Sequence, residues 1–278
     1  MKTCSFVLGL FSTTLGAAAA DWAPNITTAA TWNSNTTNAS RSTDVIGALQ
    51  LRADFAASQR VAIGSADALV LEVDLGTEAW PRFNGLDRAA LGPRFTWQHK
   101  FGLGAFAPVF SFALAADAIA TKESARRALA GSMVFAVRQR LDSVTRIALT
   151  HERAREDARE FVFDRSGAET AVTLSRDLDG PWSLAFAARW RAGVVQSYAT
   201  PPRPDLVALA RVRVPNATFD RPLVTYSLDA HTVTGALAVT RTLDSATALT
   251  FAYEWRDTTR RPLRYTNHLV SATLARQF

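Results

Sequence analysis

The ionisable residues able to do chemistry in this 278-residue chain recur at even spacings: Arg52 with Asp54, Glu72 with Asp74, Arg189 with Arg191. Arg94, Lys100, Asp117, Arg138, Arg146, Glu152, Glu169 and Glu254 stand in stretches where every second residue is apolar. Residues two apart share a face of an extended strand, so each set lines one side of a strand. Were those sides to converge on one interior, they would form a passage of mixed charge. Its chemistry would be electrostatic, with Arg and Lys lowering the barrier to anions in a water-filled pore. The alternative is that acids and bases pair across the interior and brace it.

Histidine and serine add little. Hydrolysis at a membrane-facing wall needs a nucleophilic serine beside a histidine that a third polar group orients. His268 and Ser271 lie three apart, which puts them on opposite faces of a strand. His99 and His151 have no serine two positions away, while Asp229 and His231 share a face near a strand end. The four histidines are scattered and Cys4 is the one cysteine, so no metal-ligand spacing is met. The expectation is no catalytic residue, no cofactor and no metal. Asn-x-Ser/Thr triplets at Asn25, Asn35, Asn38 and Asn216 are read as polar strand and loop residues.

The elements that must hold the charges come next. Lys2, the apolar stretch Phe6 to Leu15 and the small residues Gly16 to Ala20 have the layout of a cleaved export signal, giving a leader of residues 1–20 and one domain over 21–278. The apolar run is too short to cross a bilayer as a helix, which takes roughly 20 residues. No later stretch is apolar enough either. The net charge is +6, but the arginines are spread along the chain, which with an export signal argues against nucleic acid.

What remains is period two. Leu69, Leu71, Val73 and Leu75 alternate with Glu72 and Asp74; Trp182, Leu184, Phe186, Ala188 and Trp190 alternate with Ser183, Ala185, Ala187, Arg189 and Arg191; Leu249, Phe251, Tyr253 and Trp255 alternate with Thr250, Glu254 and Arg256. The pattern gives about twelve strands, ten or fourteen being the neighbouring counts. Tight turns such as Gly64–Asp67, Asp142-Ser143, Asp179–Pro181 and Asp244-Ser245 alternate with longer loops at Asn33–Thr43, Pro81–Ala90, Thr121–Arg127, Arg153–Gly167 and Val194–Asp229, and an arginine-rich loop runs to Arg264. The apolar piece Leu206 to Val214 is expected to fold as a short helix or hairpin over or into the barrel mouth.

The final stretch, Tyr265 to Phe278 (YTNHLVSATLARQF), alternates Val270, Ala272, Leu274 and Phe278 with Asn267, Ser271, Thr273 and Gln277, Leu269 being the misfit. Ending on a strand-terminal Phe, it resembles the closing strand of a bacterial outer-membrane β-barrel. The resemblance implies an all-β, up-and-down antiparallel transmembrane barrel with short periplasmic turns and long extracellular loops. It further implies residence in the outer membrane, monomeric and lipid-embedded. Assembly would run through the barrel-assembly machinery acting on the strand that ends at Phe278, with small solutes as cargo. Trp182 and Phe278 would mark the inner aromatic girdle with Phe101 and Phe106. Trp190, Trp32, Trp80, Tyr253, Trp255 and Tyr265 would mark the outer one. The alternative is a non-conducting barrel that displays its loops.

Overall fold

The computed structural model describes residues 22–278, so the leader expected over 1–20 lies outside the described residues. The strands are β1 (Ala23–Asn33), β2 (Ala48–Ala62), β3 (Asp67–Ala79), β4 (Arg88–Lys100), β5 (Val109–Thr121), β6 (Ala128–Arg140), β7 (Thr145–Ala158), β8 (Arg165–Asp177) and β9 (Trp182–Ala199). A four-residue helix, α1 (Pro204–Val207), and the short strand β10 (Val212–Asn216) precede β11 (Leu223–Thr242), β12 (Thr247–Arg260) and β13 (Leu263–Gln277). Each strand pairs antiparallel with its sequence neighbour, β1 pairs with β13, and β9 pairs with β11 across the interruption. Twelve strands therefore close into a barrel, and β10 adds only to the upper part of β11.

The register explains the closure. Ile26, Phe55, Leu75, Leu91, Ala118 and Leu129 stand opposite one another across six successive strands, so apolar side chains form one continuous outer face. Leu91, Phe186, Phe251 and Val270 are more than half exposed on it. An apolar surface of this extent has its place in lipid. There every backbone group must pair within the protein, which a closed barrel achieves. Trp182, Trp190, Trp32, Tyr253 and Trp255 point outward as expected.

Trp80 and Tyr265 do not. Trp80 packs against the buried cluster of Phe83 and Phe219, and Tyr265, 6% exposed, sits among Val195, Leu206 and Leu263. Tyr265 pairs with Thr258 and shares the inner parity, so neither belongs to the outer girdle.

Most of the loops are shorter than the sequence expectation, the first being the exception. Alternation continues past the membrane into water, where polar residues on both faces hide it. The charged run from Arg153 is strand to Ala158, with Arg153 and Arg155 outward, so the β7–β8 loop shrinks to residues 159–164. Val194–Ala199 and Leu223–Asp229 are strand, leaving 200–222 as the interruption. Arg261 and Pro262 alone separate β12 from β13. The first loop runs longer than expected, to Gly47, with β2 starting at Ala48 rather than Asp44.

Candidate functional site

The lumen is built by the inner parity of every strand. On that face stand Arg52 and Asp54 (β2), Glu72 and Asp74 (β3), Arg94 and Lys100 (β4), Asp117 (β5), and Arg138 (β6). Arg146 and Glu152 (β7), Glu169 (β8), Arg189 and Arg191 (β9), and Glu254 (β12) complete the set. The same parity brings in Arg60, Glu78, Arg88, Arg140, Glu156, Asp177 and Arg256, most of which lie near strand ends, where a short window of alternation does not reveal them.

Three levels differ in their electrostatics. In the middle, opposite charges pair at several points, while Asp117, Glu152, Glu169 and Arg191 make no ion pair among the described residues. Arg189 Nη1 donates to Glu254 Oε2 at 2.9 Å, and Arg256 binds the other oxygen of the same carboxylate. Arg94 lies 3.3 Å from Glu72 and 3.5 Å from Asp74, and Arg52 lies 2.7 Å from Asp54. Asp117 faces Gly92, where a Cβ would come within 2.4 Å of its carboxylate and 2.0 Å of the Ala116 carbonyl; β4 and β5 approach too closely there for any other residue. Below the mouth, Ala185, Ala187, Ala236, Ala238 and Ala252 border a cavity of about 370 Å³ that Arg189 and Glu254 also line.

At the short-turn end the balance tips to positive. Arg60, Lys100, Arg138, Arg140 and Arg146 end the inner faces of β2, β4, β6 and β7, and Asp177 ends that of β8. Arg146 is taken by Asp177 at 2.5 Å. Among the described residues Lys100, Arg138 and Arg140 make no ion pair. Asp142 and Asp244, in the turns below, accept hydrogen bonds from the amides of their own turns, which hold their carboxyls below the ordinary range.

At the long-loop end the mouth is capped. β9 leaves β8 at the Gly167–Gly193 pair, where a Cβ on Gly193 would lie 2.2 Å from the Ser166 carbonyl. Above it, β9 and β11 continue as a tongue that crosses the opening. The β9 edge that β8 releases is taken by the first loop: Tyr198 N donates to Thr37 O at 2.8 Å, and Asn38 Nδ2 to Gln196 O at 2.9 Å.

One face of the tongue meets the loops of the far wall. Tyr198 and Phe83 both set their rings edge-on to Phe219, and Arg126 donates to the Tyr198 hydroxyl while lying 4.0 Å over Phe163. Arg82 pairs with Asp220, and Thr218 donates to Glu123. The other face packs Val195, Tyr226 and Leu228 against Leu206, Leu263 and Tyr265. Phe83, Leu206, Leu223, Tyr226 and Leu228 are all below 3% exposed. Each such side chain stabilises the cap by about 1.5–3 kcal/mol.

The histidines serve the outer wall. His268 hydrogen-bonds Tyr253 at 2.8 Å, His99 contacts Asp67, and His151 contacts Thr170. Asp229 and His231 do share a face, but Asp229 is bound by Arg211 and His231 stacks on Trp190. Among the hydrogen bonds of the described residues none joins a serine hydroxyl to a histidine ring. Arg276, outward near the end of the chain, lies 5.3 Å over the Phe278 ring.

No protein-family model matches this chain, and no curated protein matches its sequence. Solved structures do match its fold. An outer-membrane channel from Pseudomonas putida F1 superposes with a TM-score of 0.59 at 8% identity, over 92% of this chain and 96% of that one. The fold is that of outer-membrane channels. CymD, a monoaromatic hydrocarbon channel, superposes with a TM-score of 0.50 at 7% identity, over 92% and 88%. At these identities the likeness is one of architecture.

Proposed function

We propose that the protein is a narrow channel of the bacterial outer membrane for small solutes, and that it favours anions. The observation that carries the preference is the cluster of Lys100, Arg138 and Arg140 at the short-turn end, which no acid neutralises among the described residues. A cation cluster in a confined aqueous passage attracts anions and disfavours cations. Pairs such as Arg94 with Glu72 and Arg189 with Glu254 cancel much of the charge at mid-lumen. Fold likeness to outer-membrane channels supports conduction at the level of architecture. Export by cleavage of residues 1–20, a monomer in outer-membrane lipid and assembly through the strand ending at Phe278 belong to the same reading.

The capped mouth favours a second reading, a non-conducting barrel that presents its cap to the outside. Planar-bilayer recording of the pure, folded protein separates the two. Discrete, anion-selective steps are expected, and a silent bilayer would reject the channel in favour of the second reading.

A further inference from the structure

Outside the lumen, the tongue carries a groove of about 730 Å³, within the range of about 300–1,000 Å³ typical of small-molecule sites. Pro201, Pro202, Pro204 and Pro215 wall it together with Val207 and Tyr226. Proline has no backbone N–H and a locked φ. The walls therefore offer few donors, and their shape is set before any ligand arrives. Cations supply the polarity. Arg213 lines the groove, is exposed, and stands directly opposite Tyr226 in the β10–β11 pairing. Among the described residues it makes no ion pair. Arg203 lies beneath, 3% exposed, bound to Asp205 at 2.7 Å, and its Nη1 has no hydrogen-bond partner 3.9 Å from Asp44.

We infer that this groove binds a small carboxylate with a flat apolar body, the body lying against the exposed prolines and Val207 and the carboxylate on Arg213. An apolar body alone would leave the Arg213 charge unused. A compact inorganic anion would leave the proline walls uncovered. Burial pushes the Tyr226 phenol upward, so it stays protonated at neutral pH and cannot repel the anion. The inference needs no conduction: the groove lies on the tongue, away from the basic cluster of the lumen.

The test uses the full folded chain in detergent, with cinnamate as probe and calorimetry as readout. Cinnamyl alcohol (the body without charge) and inorganic phosphate (charge without the body) are the controls. Cinnamate should bind at least about tenfold tighter than either, and Arg213→Gln should weaken it by about tenfold or more, the worth of one charge-assisted hydrogen bond. Val207→Asp, an exposed position that adds a repelling charge, should do the same. Lys100→Gln, in the lumen, should leave binding unchanged. No cinnamate binding, wild-type affinity in both groove variants, or a loss confined to Lys100→Gln would each overturn the inference.

Discussion

Below Gly193, β9 and β11 are barrel wall; above it the same two strands, in unbroken register, are the tongue. The parity that faces the lumen below, Arg189 and Arg191, becomes above it Val195 and, on β11, Leu228 and Tyr226, packed in a dry cluster. The parity that faces lipid below, Trp182 to Trp190, becomes Gln196 and Tyr198, bound to Arg165 and Arg126. One ladder thus serves two environments, and what changes between them is the neighbour. In the wall, β8 and β12 flank the pair, the outer face meets lipid and the inner face meets water. In the mouth β8 is gone, loop 34–47 takes its place, and protein covers both faces.

The contrast is most open to attack through the tongue itself. Joining Val194 to Asp229, which face each other in the register, by a two-residue turn removes the cap and keeps the wall. Single-channel conductance should rise several-fold, and an unchanged value would place the constriction elsewhere. A gentler probe is Phe219→Ala, which removes the ring that Phe83 and Tyr198 both contact. The loss of about 3–5 kcal/mol should fall on the cap alone. Hydrogen exchange should then speed up in 194–230 while β9 below Arg191 keeps its protection. Equal acceleration in both halves would mean the two regions unfold as one.

Within the lumen the comparison is between paired and unpaired charge. Reversing Lys100 and Arg138 to Glu should move the reversal potential toward cation preference. Arg189→Ala should move it less, because Glu254 and Arg256 already balance that site. A larger shift from Arg189 would place the selectivity filter at mid-barrel.

The smallest effect expected is with pH. The Arg203 guanidinium holds the Asp205 carboxyl down at about 2. A depressed carboxylate contributes stability in full above its unfolded value, roughly 3.9, and loses it as pH falls toward the folded value. Asp205 is about a third exposed, so screening keeps the contribution modest. Protection of the amides around α1, relative to their intrinsic exchange rates, should hold steady from neutral pH to about 4 and fall only below that. A loss of protection between pH 7 and 5 would point to a different group.

The outer wall was legible in the sequence because lipid imposes a strict rule. Every second residue between the interfaces must be apolar, so Leu69 to Leu75 or Leu249 to Trp255 announce themselves. The closing strand was equally plain, and its misfit Leu269 proves to be an inner residue bordering the cavities beneath the cap. Arg88 and Glu156, 3.8 Å apart across the lumen, were harder to find, since they lie where alternation fades into water.

The cap shows the limit of sequence reading. The two-residue period already puts Trp80 in step with Glu72 and Asp74, and Tyr265 in step with Asn267 and Ser271, against a place in the outer girdle; what nothing local marks is whether water or protein covers these inner positions. That distinction depends on residues far away in sequence, Phe219 for Trp80 and Leu206 for Tyr265, folding back across the mouth. The sequence alone determined a barrel, its orientation of faces and the residues on its inner parity, since these follow from a two-residue period set by backbone geometry and solvent. Only the tertiary structure decided that the mouth is capped, which charges are neutralised and which stay free, since those depend on contacts between segments that the period does not connect.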